Sequence, residues 1–289
     1  MSQHGTTPDL SWASMVEALS QAADISADLD AQIAAWLLDG SERLLVDLGC
    51  GAGGMAVALR SAADASARVV AVDGEPALLE ATRRRAAATG NDSGLETVRA
   101  DLAAEIPISA GSADLIWASA VVHHLPDQQA ALGDLASRLA PGGRLALAEG
   151  GLSARSLPWD IGIGEPGLEL RLDAAGQRWF AQMRLDLPGS VPMPYGWPRA
   201  LREAGLVDIG SKTFLLDLPA PLRARDAEHA LGRLRSFLDR DSLAALVGDE
   251  DRAVLARLTD LDDPIHHDSA PEFFLLAAYT VHVGQRPTQ

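Results

Sequence analysis

The sequence predicts an α/β protein built on a doubly wound, mostly parallel sheet of seven strands with helical insertions. Five apolar runs of strand length alternate with segments of helical apolar spacing between residues 41 and 150. The first run leads directly into a glycine-rich turn, and two further runs near the carboxyl end complete the seven. Alternation of this kind indicates parallel strands that helices cover on both faces.

The first predicted strand begins near Leu45 and runs into the glycine-rich turn. The apolar residues before Asp47 indicate a strand buried on both faces. Glycine lets the backbone turn sharply and approach a ligand where a β-carbon would collide. A helix start over such a turn suggests phosphate binding, and the spacing Gly49-x-Gly51-x-x-Gly54 fits the dinucleotide fingerprint.

Asp47 stands two residues before the first glycine and separates two cofactor classes. A dinucleotide fold normally keeps an apolar residue here, because a carboxylate repels pyrophosphate. A carboxylate instead suits a ligand with an ammonium or sulfonium centre in this region. The pattern Asp-x-Gly-x-Gly-x-Gly at positions 47–53 resembles motif I of the class I S-adenosylmethionine-dependent methyltransferases. A nicotinamide or flavin site is the alternative.

The resemblance covers roughly residues 40–150 and implies that S-adenosylmethionine is the cofactor. The expected contacts come from the glycine-rich turn and from the ends of the strands that follow it. They are Asp47, Gly49, Cys50, Gly51, Gly53, Asp73, Gly74, Asp101, Leu102, Ala118 and Ser119. Since a sulfonium is already a strong leaving group, the protein must chiefly align the acceptor with the methyl group and exclude water.

Two of these acids end or follow predicted strands. Asp73 ends the strand Arg68–Asp73 about twenty residues beyond the glycines, where such an acid accepts hydrogen bonds from ribose hydroxyls. The alternative, compatible with the first, is that Asp73 caps the helix beginning near Pro76. Asp101 follows the strand Leu95–Ala100, and the resemblance implies a contact with the exocyclic amine of adenine. An exposed loop residue is the alternative there.

The fourth predicted strand, Ala113–Ser119, leads into two adjacent histidines. Residues Val121–Asp127 resemble motif IV of the same family, with the His-His-Leu-Pro-Asp ending frequent among its small-molecule enzymes. His124 is the first candidate for a general base and His123 the second, because histidine titrates near neutrality. A structural role for either histidine is the open alternative.

The remaining strands complete the predicted sheet. A helix over Gln128–Leu139 and a turn at Pro141–Gly143 precede the fifth strand, which is expected to end at Glu149. Leu206–Asp217 and Phe273–Val283 have the composition of the sixth and seventh strands. In the resembled family these two usually form an antiparallel pair at the sheet edge, so the long segment between them is an insertion.

Four parts of the chain are expected to have different roles. Residues 1–40 form helices that cover the cofactor or simply pack on the sheet. Residues 41–150 form the cofactor-binding core, and residues 151–197 form a substrate cover. Residues 198–289 complete the sheet with a helical insertion at about 219–271. That insertion, expected to hold two or three helices, extends the cover or forms a dimer surface.

The segment 151–197 concentrates apolar bulk among glycines and prolines, in a chain that is only 4% aromatic. This composition suits a wall of a ligand pocket, built around a helix over Asp173–Leu185. The candidate acceptor-binding residues are Trp159, Trp179, Met183 and Tyr195. For the helical residues the alternative is plain packing of the helix against the domain.

Charge and composition limit the classes of partner that the protein is expected to bind. The formal net charge of -16 argues against nucleic acid and anionic membrane surfaces. No apolar stretch has the length of a membrane span, and residues 1–24 lack a secretory pattern. The single cysteine, Cys50, fits a reducing cytoplasm. His266–Asp268 is expected to form a solvated turn and not a metal site, because adjacent histidines point in different directions.

The sequence therefore predicts S-adenosylmethionine-dependent methyl transfer to an oxygen or nitrogen of a small, partly apolar metabolite, of the kind found in secondary metabolism. The expected partners are this substrate and a second copy of the chain. Carbon methylation is an alternative on the same fold, and binding of the cofactor without turnover is another. Three acids at cofactor spacing argue against the latter, since burying carboxylates is costly. A nicotinamide oxidoreductase is the third class.

Overall fold

The computed structural model describes residues 12–288 as seven strands and eleven α-helices. The strands are β1 Leu44–Leu48, β2 Arg68–Asp73, β3 Leu95–Arg99, β4 Ala113–Ser119, β5 Leu139–Arg155, β6 Val207–Leu218 and β7 Leu275–Gln285. The helices are α1 Val16–Ile25, α2 Ala27–Leu37, α3 Gly54–Ala62, α4 Pro76–Ala88, α5 Gln128–Arg138, α6 Leu168–Asp186, α7 Trp197–Glu203, α8 Ala224–Asp239, α9 Asp241–Ala244, α10 Asp249–Thr259 and α11 Pro264–Ser269.

The seven strands form one sheet in the order β3-β2-β1-β4-β5-β7-β6. The chain runs outward from β1 through β2 to β3 and then places β4 on the other side of β1, with all these pairings parallel. This reversal is a topological switch point, beyond whose strand ends open α/β sheets bind ligands. Asp47 lies level with Ala71 of β2 and Trp117 of β4, one residue before the end of β1.

The edge of the sheet is antiparallel. Ser211 of β6 faces His282 of β7, and Thr213 faces Thr280, so the residue numbers of the two strands run in opposite directions. The sheet is therefore mixed and mostly parallel, and the predicted fold class is confirmed.

The central strands are buried because helices cover the sheet. Val46 of β1 and Ile116 of β4 are fully buried and belong to one hydrophobic cluster. The cluster also contains Leu132 and Leu135 of α5 and Leu201 of α7. Strands that helices cover on both faces bury every side chain, so their sequences are continuous apolar runs and do not alternate with polar residues.

β5 is longer than the sequence predicts. It continues past Glu149 to Arg155, and the expected turn at Pro141–Gly143 lies within it. The pairing register with β4 shifts at Ala113–Leu115, and Gly142 has a φ of +81°. A β-carbon at Gly143 would lie 2.9 Å from the carbonyl oxygen of Ala140, so the chain folds back at this point. The expected turn therefore lies within β5 and not before it, and the prediction of a strand end at Glu149 is wrong.

The described residues divide into two compact units. We call one the sheet unit; it comprises Trp12–Gly151, Pro188–Phe214 and the segment from Tyr279 onward. We call the other the helical unit; it comprises Leu152–Leu187 and Leu215–Ala278. The segments 151–197 and 219–271, which the sequence analysis treats separately, thus contribute most of one unit.

The helical unit has its own hydrophobic core. Fully buried side chains there include Leu234 of α8, Leu255 of α10 and Phe273, and Leu172 of α6 packs with them. α6 begins earlier than the expected Asp173, and the insertion at 219–271 holds four α-helices, α8 to α11, where two or three were expected. The core explains why these segments are helical and not loops.

The interpretation of His266–Asp268 as a solvated turn is wrong. These residues lie in α11, and His266 is buried with its Nδ1 atom 2.8 Å from the carbonyl oxygen of Leu258. Within residues 12–288 there is no group of three or more His, Cys, Asp or Glu side chains arranged to hold a metal ion.

The N-terminal helices belong to the sheet unit. The amphipathic helix expected near residues 27–38 is α2, which buries Leu29 and Ile33 and packs on α3. Residues 1–11 of the expected N-terminal cover lie outside the described residues. Among residues 12–288, none of the helices combines the length and apolar character needed to cross a bilayer.

Candidate active site

The turn after β1 places three glycines in the left-handed region of backbone conformation. The φ angles are +66° at Gly49, +53° at Gly51 and +81° at Gly53. A β-carbon at Gly49 would collide with Val121, so this position must be glycine for packing as well as for conformation. A β-carbon at Gly51 would meet no atom of residues 12–288 within 4 Å. The turn therefore has the open side that a ligand cradle requires.

Asp47 is a fully buried acid beneath this turn. The backbone N–H of Ala56 donates to its carboxylate, but its Oδ2 atom has no hydrogen-bond partner within residues 12–288. Burial, together with the like charges of Asp30 and Asp73, raises the pKa of Asp47 to about 8. A buried acceptor without a partner is costly. A cationic ligand at the turn would supply the missing countercharge.

Asp30 on α2 forms an acidic cluster with Asp47 and Asp73. Asp30 is not among the predicted site residues. The Ser26 hydroxyl donates to Asp30 Oδ2 at 3.0 Å, and a β-carbon at Gly54 would lie only 2.8 Å from that oxygen. Burial raises the pKa of Asp30 to about 6. From the sequence, Asp30 is only a polar residue on an amphipathic helix, where an exposed or half-buried side chain is expected. Its burial depends on the packing of α2 against α3, a tertiary contact that local sequence does not record.

Asp73 ties the end of β2 to the glycine-rich turn. Its Oδ2 atom accepts the backbone N–H of Gly51 at 3.0 Å, and its Oδ1 atom accepts that of Glu75 at 2.9 Å. The N-cap of α4 is Glu75, whose side chain accepts the N–H of Ala77, so the capping role falls on Glu75. Burial raises the pKa of Asp73. The carboxylate retains lone pairs for the predicted ribose contact.

The other expected cofactor residues lie at neighbouring strand ends of the sheet unit. Asp101 follows β3 and accepts the N–H of Ala103 at 3.0 Å, which shapes the loop that contains Leu102. A β-carbon at Gly74 would lie 3.4 Å from the carbonyl oxygen of Ala100, so the loops after β2 and β3 are adjacent. Ala118 and Ser119 end β4, and the Cys50 N–H donates to Val72 of β2 at 2.9 Å.

The two histidines follow β4 and form a chain with a buried acid. Glu149 Oε1 accepts the backbone N–H groups of Val121 and Val122 at 2.8 and 2.7 Å. Its Oε2 atom lies 2.6 Å from His123 Nδ1, and His123 Nε2 lies 3.1 Å from His124 Nε2. From the sequence, Glu149 is expected only as the last residue of the fifth strand.

Hydrogen-bonding capacity limits the proton arrangements of this chain. A carboxylate only accepts, so Nδ1 of His123 donates to Glu149. In the arrangement with two neutral rings, Nε2 of His123 accepts the Nε2–H of His124, and Nδ1 of His124 carries the remaining lone pair. The Trp12 ring meets the His124 ring edge-on, with centroids 5.8 Å apart.

The candidate acceptor-binding residues are distributed over both units. In the helical unit Trp159 is exposed, Met183 is buried, and the Trp179 indole N–H donates to Ser242 at 2.9 Å. In the sheet unit the Tyr195 hydroxyl donates to Gln129 at 3.1 Å, and its ring packs on the sheet core. Trp179 and Met183 thus pack within their own unit, as the packing alternative for the helical residues allows.

The geometry of the sheet unit fits S-adenosylmethionine. The glycine-rich turn would hold the amino-acid part against the unsatisfied Asp47 carboxylate, and Asp73 and Asp101 would meet the ribose and the adenine. The negative charge of the acidic cluster would repel a pyrophosphate at the same place.

Comparison with known sequences agrees with this geometry. Residues 46–147 match the family model described as a methyltransferase domain. Trans-aconitate 2-methyltransferase of Methylobacterium radiotolerans is 40% identical over 141 residues, which are 45% of this chain and 51% of that protein. The chain thus spans about half the length of this relative. Residues 46–147 are therefore a class I S-adenosylmethionine-dependent methyltransferase domain, and the resemblance found in the sequence is confirmed.

Two solved structures share the fold of nearly the whole chain. Phosphoethanolamine N-methyltransferase 2 of Haemonchus contortus, in complex with S-adenosyl-L-methionine, aligns with a TM-score of 0.53 at 14% identity, covering 96% of this chain and 60% of that one. A methyltransferase of Bacillus halodurans C-125, described as putative, aligns with a TM-score of 0.50 at 18% identity, covering 91% and 99%. At these identities the likeness concerns the fold.

Proposed function

We propose that the chain transfers the methyl group of S-adenosylmethionine to an oxygen or nitrogen of a small, partly apolar metabolite. The observation that carries this proposal is the buried Asp47 carboxylate under the glycine-rich turn, with one oxygen unsatisfied within residues 12–288. That site favours a cationic cofactor over an anionic one. The match of residues 46–147 to a methyltransferase domain supports the same conclusion.

Two acids divide the work of holding the cofactor. Asp47 provides the negative charge for its cationic part, while Asp73 holds Gly51 in place and offers acceptors to the ribose. When bound, the cofactor supplies a methyl group on a sulfonium, a centre that needs no further activation. The protein must orient the acceptor and exclude water.

The histidine chain supplies the base. Nδ1 of His124 takes the proton from an acceptor hydroxyl or amine that is protonated at working pH. The positive charge that forms is then stabilised through two hydrogen bonds, from His124 to His123 and from His123 to Glu149. Glu149 is a positioning residue, since its carboxylate sets the tautomer of His123 and contacts two backbone N–H groups.

The acceptor is expected to contact apolar and aromatic side chains of residues 151–197. The candidates are Trp159, Trp179 and Met183 of the helical unit and Tyr195 of the sheet unit. The relative named for trans-aconitate supports a small acceptor as a class. Carbon methylation on the same fold would need no proton transfer to His124 before methyl transfer.

Titration calorimetry with S-adenosylmethionine, S-adenosylhomocysteine and NADH tests the cofactor. Binding of both sulfur compounds with no binding of NADH is expected, whereas tight NADH binding alone would indicate an oxidoreductase. Mass spectrometry of cell extract incubated with the protein and methyl-labelled cofactor then tests turnover. Cofactor binding without any labelled product would indicate a binding protein.

A further inference from the structure

Two side chains of α4 hold the glycine-rich turn. The Thr82 hydroxyl donates to the carbonyl oxygen of Gly51 at 3.0 Å, and Arg85 Nε donates to that of Ala52 at 2.9 Å. Residues three apart on a helix lie on the same face, so Thr82 and Arg85 reach two consecutive carbonyl groups. A trans peptide points its N–H away from its C=O, so these bonds also orient N–H groups of the turn. The shape of the turn therefore depends on α4.

Arg85 also holds the N-terminal helix α1. Its Nη2 atom donates to the carbonyl oxygen of Ser20 at 2.9 Å, and its Nη1 atom lies 2.6 Å from Oδ1 of Asp24. Only 16% of the Arg85 side chain is exposed. Hydrogen bonds from a guanidinium are roughly twice as strong as those between neutral groups. One side chain of α4 thus joins α1 to the glycine-rich turn.

A separate contact also places the N-terminal helices against the turn. A β-carbon at Gly54, the first residue of α3, would lie 2.8 Å from Oδ2 of Asp30 and 3.1 Å from the β-carbon of Ala23. Glycine is required here because α1 and α2 come so close to the backbone. A displacement of α1 would therefore disturb the turn at two places, through Arg85 at Ala52 and directly at Gly54.

We propose that Arg85 is a positioning residue that couples the packing of α1 to the affinity of the glycine-rich turn for S-adenosylmethionine. Arg85 donates to protein groups on α1 and on the turn, so it acts through the turn and not as a ligand of the cofactor. Such a coupling is reciprocal: α1 favours the binding shape of the turn, and bound cofactor must stabilise α1. The inference rests on the proposed use of S-adenosylmethionine.

Calorimetry with S-adenosylhomocysteine tests the coupling on the full chain. Arg85→Met keeps the apolar stem and removes every donor, and it should weaken binding by about fivefold or more, the lower end of couplings between sites. Asp24→Ala leaves the bond from Arg85 to the turn intact and should weaken binding by a smaller factor. In the Arg85→Met background it should have no further effect, because its contribution passes through Arg85. Arg85→Lys should have an intermediate affinity.

Two exposed residues of the same helices provide matched controls. Arg83→Met removes an arginine of α4 that pairs with Glu80, and Glu17→Ala removes an acid of α1 that accepts from Gln21. Both variants should bind S-adenosylhomocysteine as the wild type does. Hydrogen exchange supplies a second readout: the amides of α1 should gain protection when S-adenosylhomocysteine binds the wild type, but not when it binds Arg85→Met.

The outcomes separate this inference from the proposed function. No binding of S-adenosylhomocysteine by the wild type would overturn both. If the wild type binds, then equal affinity of Arg85→Met, an equal loss in Arg83→Met, additive losses in the double variant, or an unchanged gain of α1 protection would overturn the coupling alone. If Arg85→Met does not fold, Asp24→Ala and Arg85→Lys decide, and wild-type affinity in both would overturn it.

Discussion

The Nδ1 atom of His123 lies 2.6 Å from the Oε2 atom of Glu149, whose side chain is only 2% exposed. The other carboxylate oxygen of Glu149 accepts two backbone N–H groups, so the acid cannot turn away from the ring. This arrangement links two histidine rings to one carboxylate through hydrogen bonds at the end of the parallel strands.

Glu149→Gln should lower turnover by about a hundredfold or more. The backbone N–H groups of Val121 and Val122 will donate to the amide oxygen of the substituted side chain, as they do to Glu149 Oε1 in the wild type. The amide NH₂ then points toward His123. His123 must then accept at Nδ1 and donate from Nε2, so His124 becomes protonated at Nδ1 and loses its basic nitrogen. Steady-state kinetics from pH 6 to 9 measure the effect.

Glu96→Gln is the control for this substitution, because Glu96 is an exposed strand carboxylate paired with Arg68. It should leave turnover unchanged. Affinity for S-adenosylhomocysteine should be nearly the same in both variants. Full turnover of Glu149→Gln across the pH range would remove the positioning role of Glu149.

His124→Ala should lower turnover by about a hundredfold or more, with S-adenosylhomocysteine affinity little changed. His123→Ala should cost less, because His124 keeps a basic nitrogen and loses only its hydrogen-bond partner. His267→Ala, at an exposed position of α11, is the control. A larger loss in His123→Ala than in His124→Ala would reverse the assignment of the base.

Asp73→Ala should weaken S-adenosylmethionine binding by about 1.5 to 3 kcal/mol, the range for hydrogen bonds to a charged group. The change removes the expected ribose contact and the bond to Gly51. Asp64→Ala is a matched control, since Asp64 accepts the N–H of Ser66 at 2.9 Å just as Asp73 accepts that of Glu75. An equal affinity in folded Asp73→Ala and wild type would contradict the assignment.

Local patterns predicted the fold and the glycine-rich turn. Buried parallel strands leave continuous apolar runs, and a turn at φ +53° requires glycine, so positions such as Val46 and Gly51 are marked in the sequence itself. The partners of the site are not marked in this way. Asp30 reaches the turn only because α2 packs on α3, and Glu149 meets His123 only because β5 lies beside β4.

The same distinction explains one error in each unit. In the helical unit His266 is buried by contact with α10, which no local spacing records. In the sheet unit β5 contains the glycines of a turn, and only its pairing with β4 shows that these residues belong to the strand. Tertiary contacts of this kind override local turn preference.

The unusual ionisation of Asp47 predicts how stability depends on pH. Burial and the charges of Asp30 and Asp73 raise its pKa to about 8, against an ordinary value of 3.8. Between these values the folded protein holds a proton that the unfolded chain has released. The free energy of unfolding should therefore fall as pH rises through this window, by about 1.4 kcal/mol per pH unit for each such proton. Asp30 contributes in the same direction up to about pH 6.

Asp47→Asn keeps the shape of the protonated side chain and cannot ionise. Its free energy of unfolding, measured by urea titration, should fall less steeply than that of the wild type between pH 6 and 8. Asp64→Asn serves as the control, because the pKa of Asp64 lies below its ordinary value of 3.8, so this substitution should change the slope only at lower pH. A wild-type stability that rises with pH between 6 and 8 would contradict the ionisation assigned to Asp47.

A cationic cofactor favours ionised Asp47, so binding of S-adenosylmethionine at pH 7 should release about one proton. Affinity should accordingly increase as pH rises toward 8, where the unliganded carboxyl already loses its proton. Calorimetry in two buffers with different ionisation enthalpies measures the proton count. Asp47→Asn should release no proton and bind the sulfonium more weakly. If that variant instead binds NADH in preference to S-adenosylmethionine, or releases as much proton as the wild type, the charge of Asp47 does not select the cofactor.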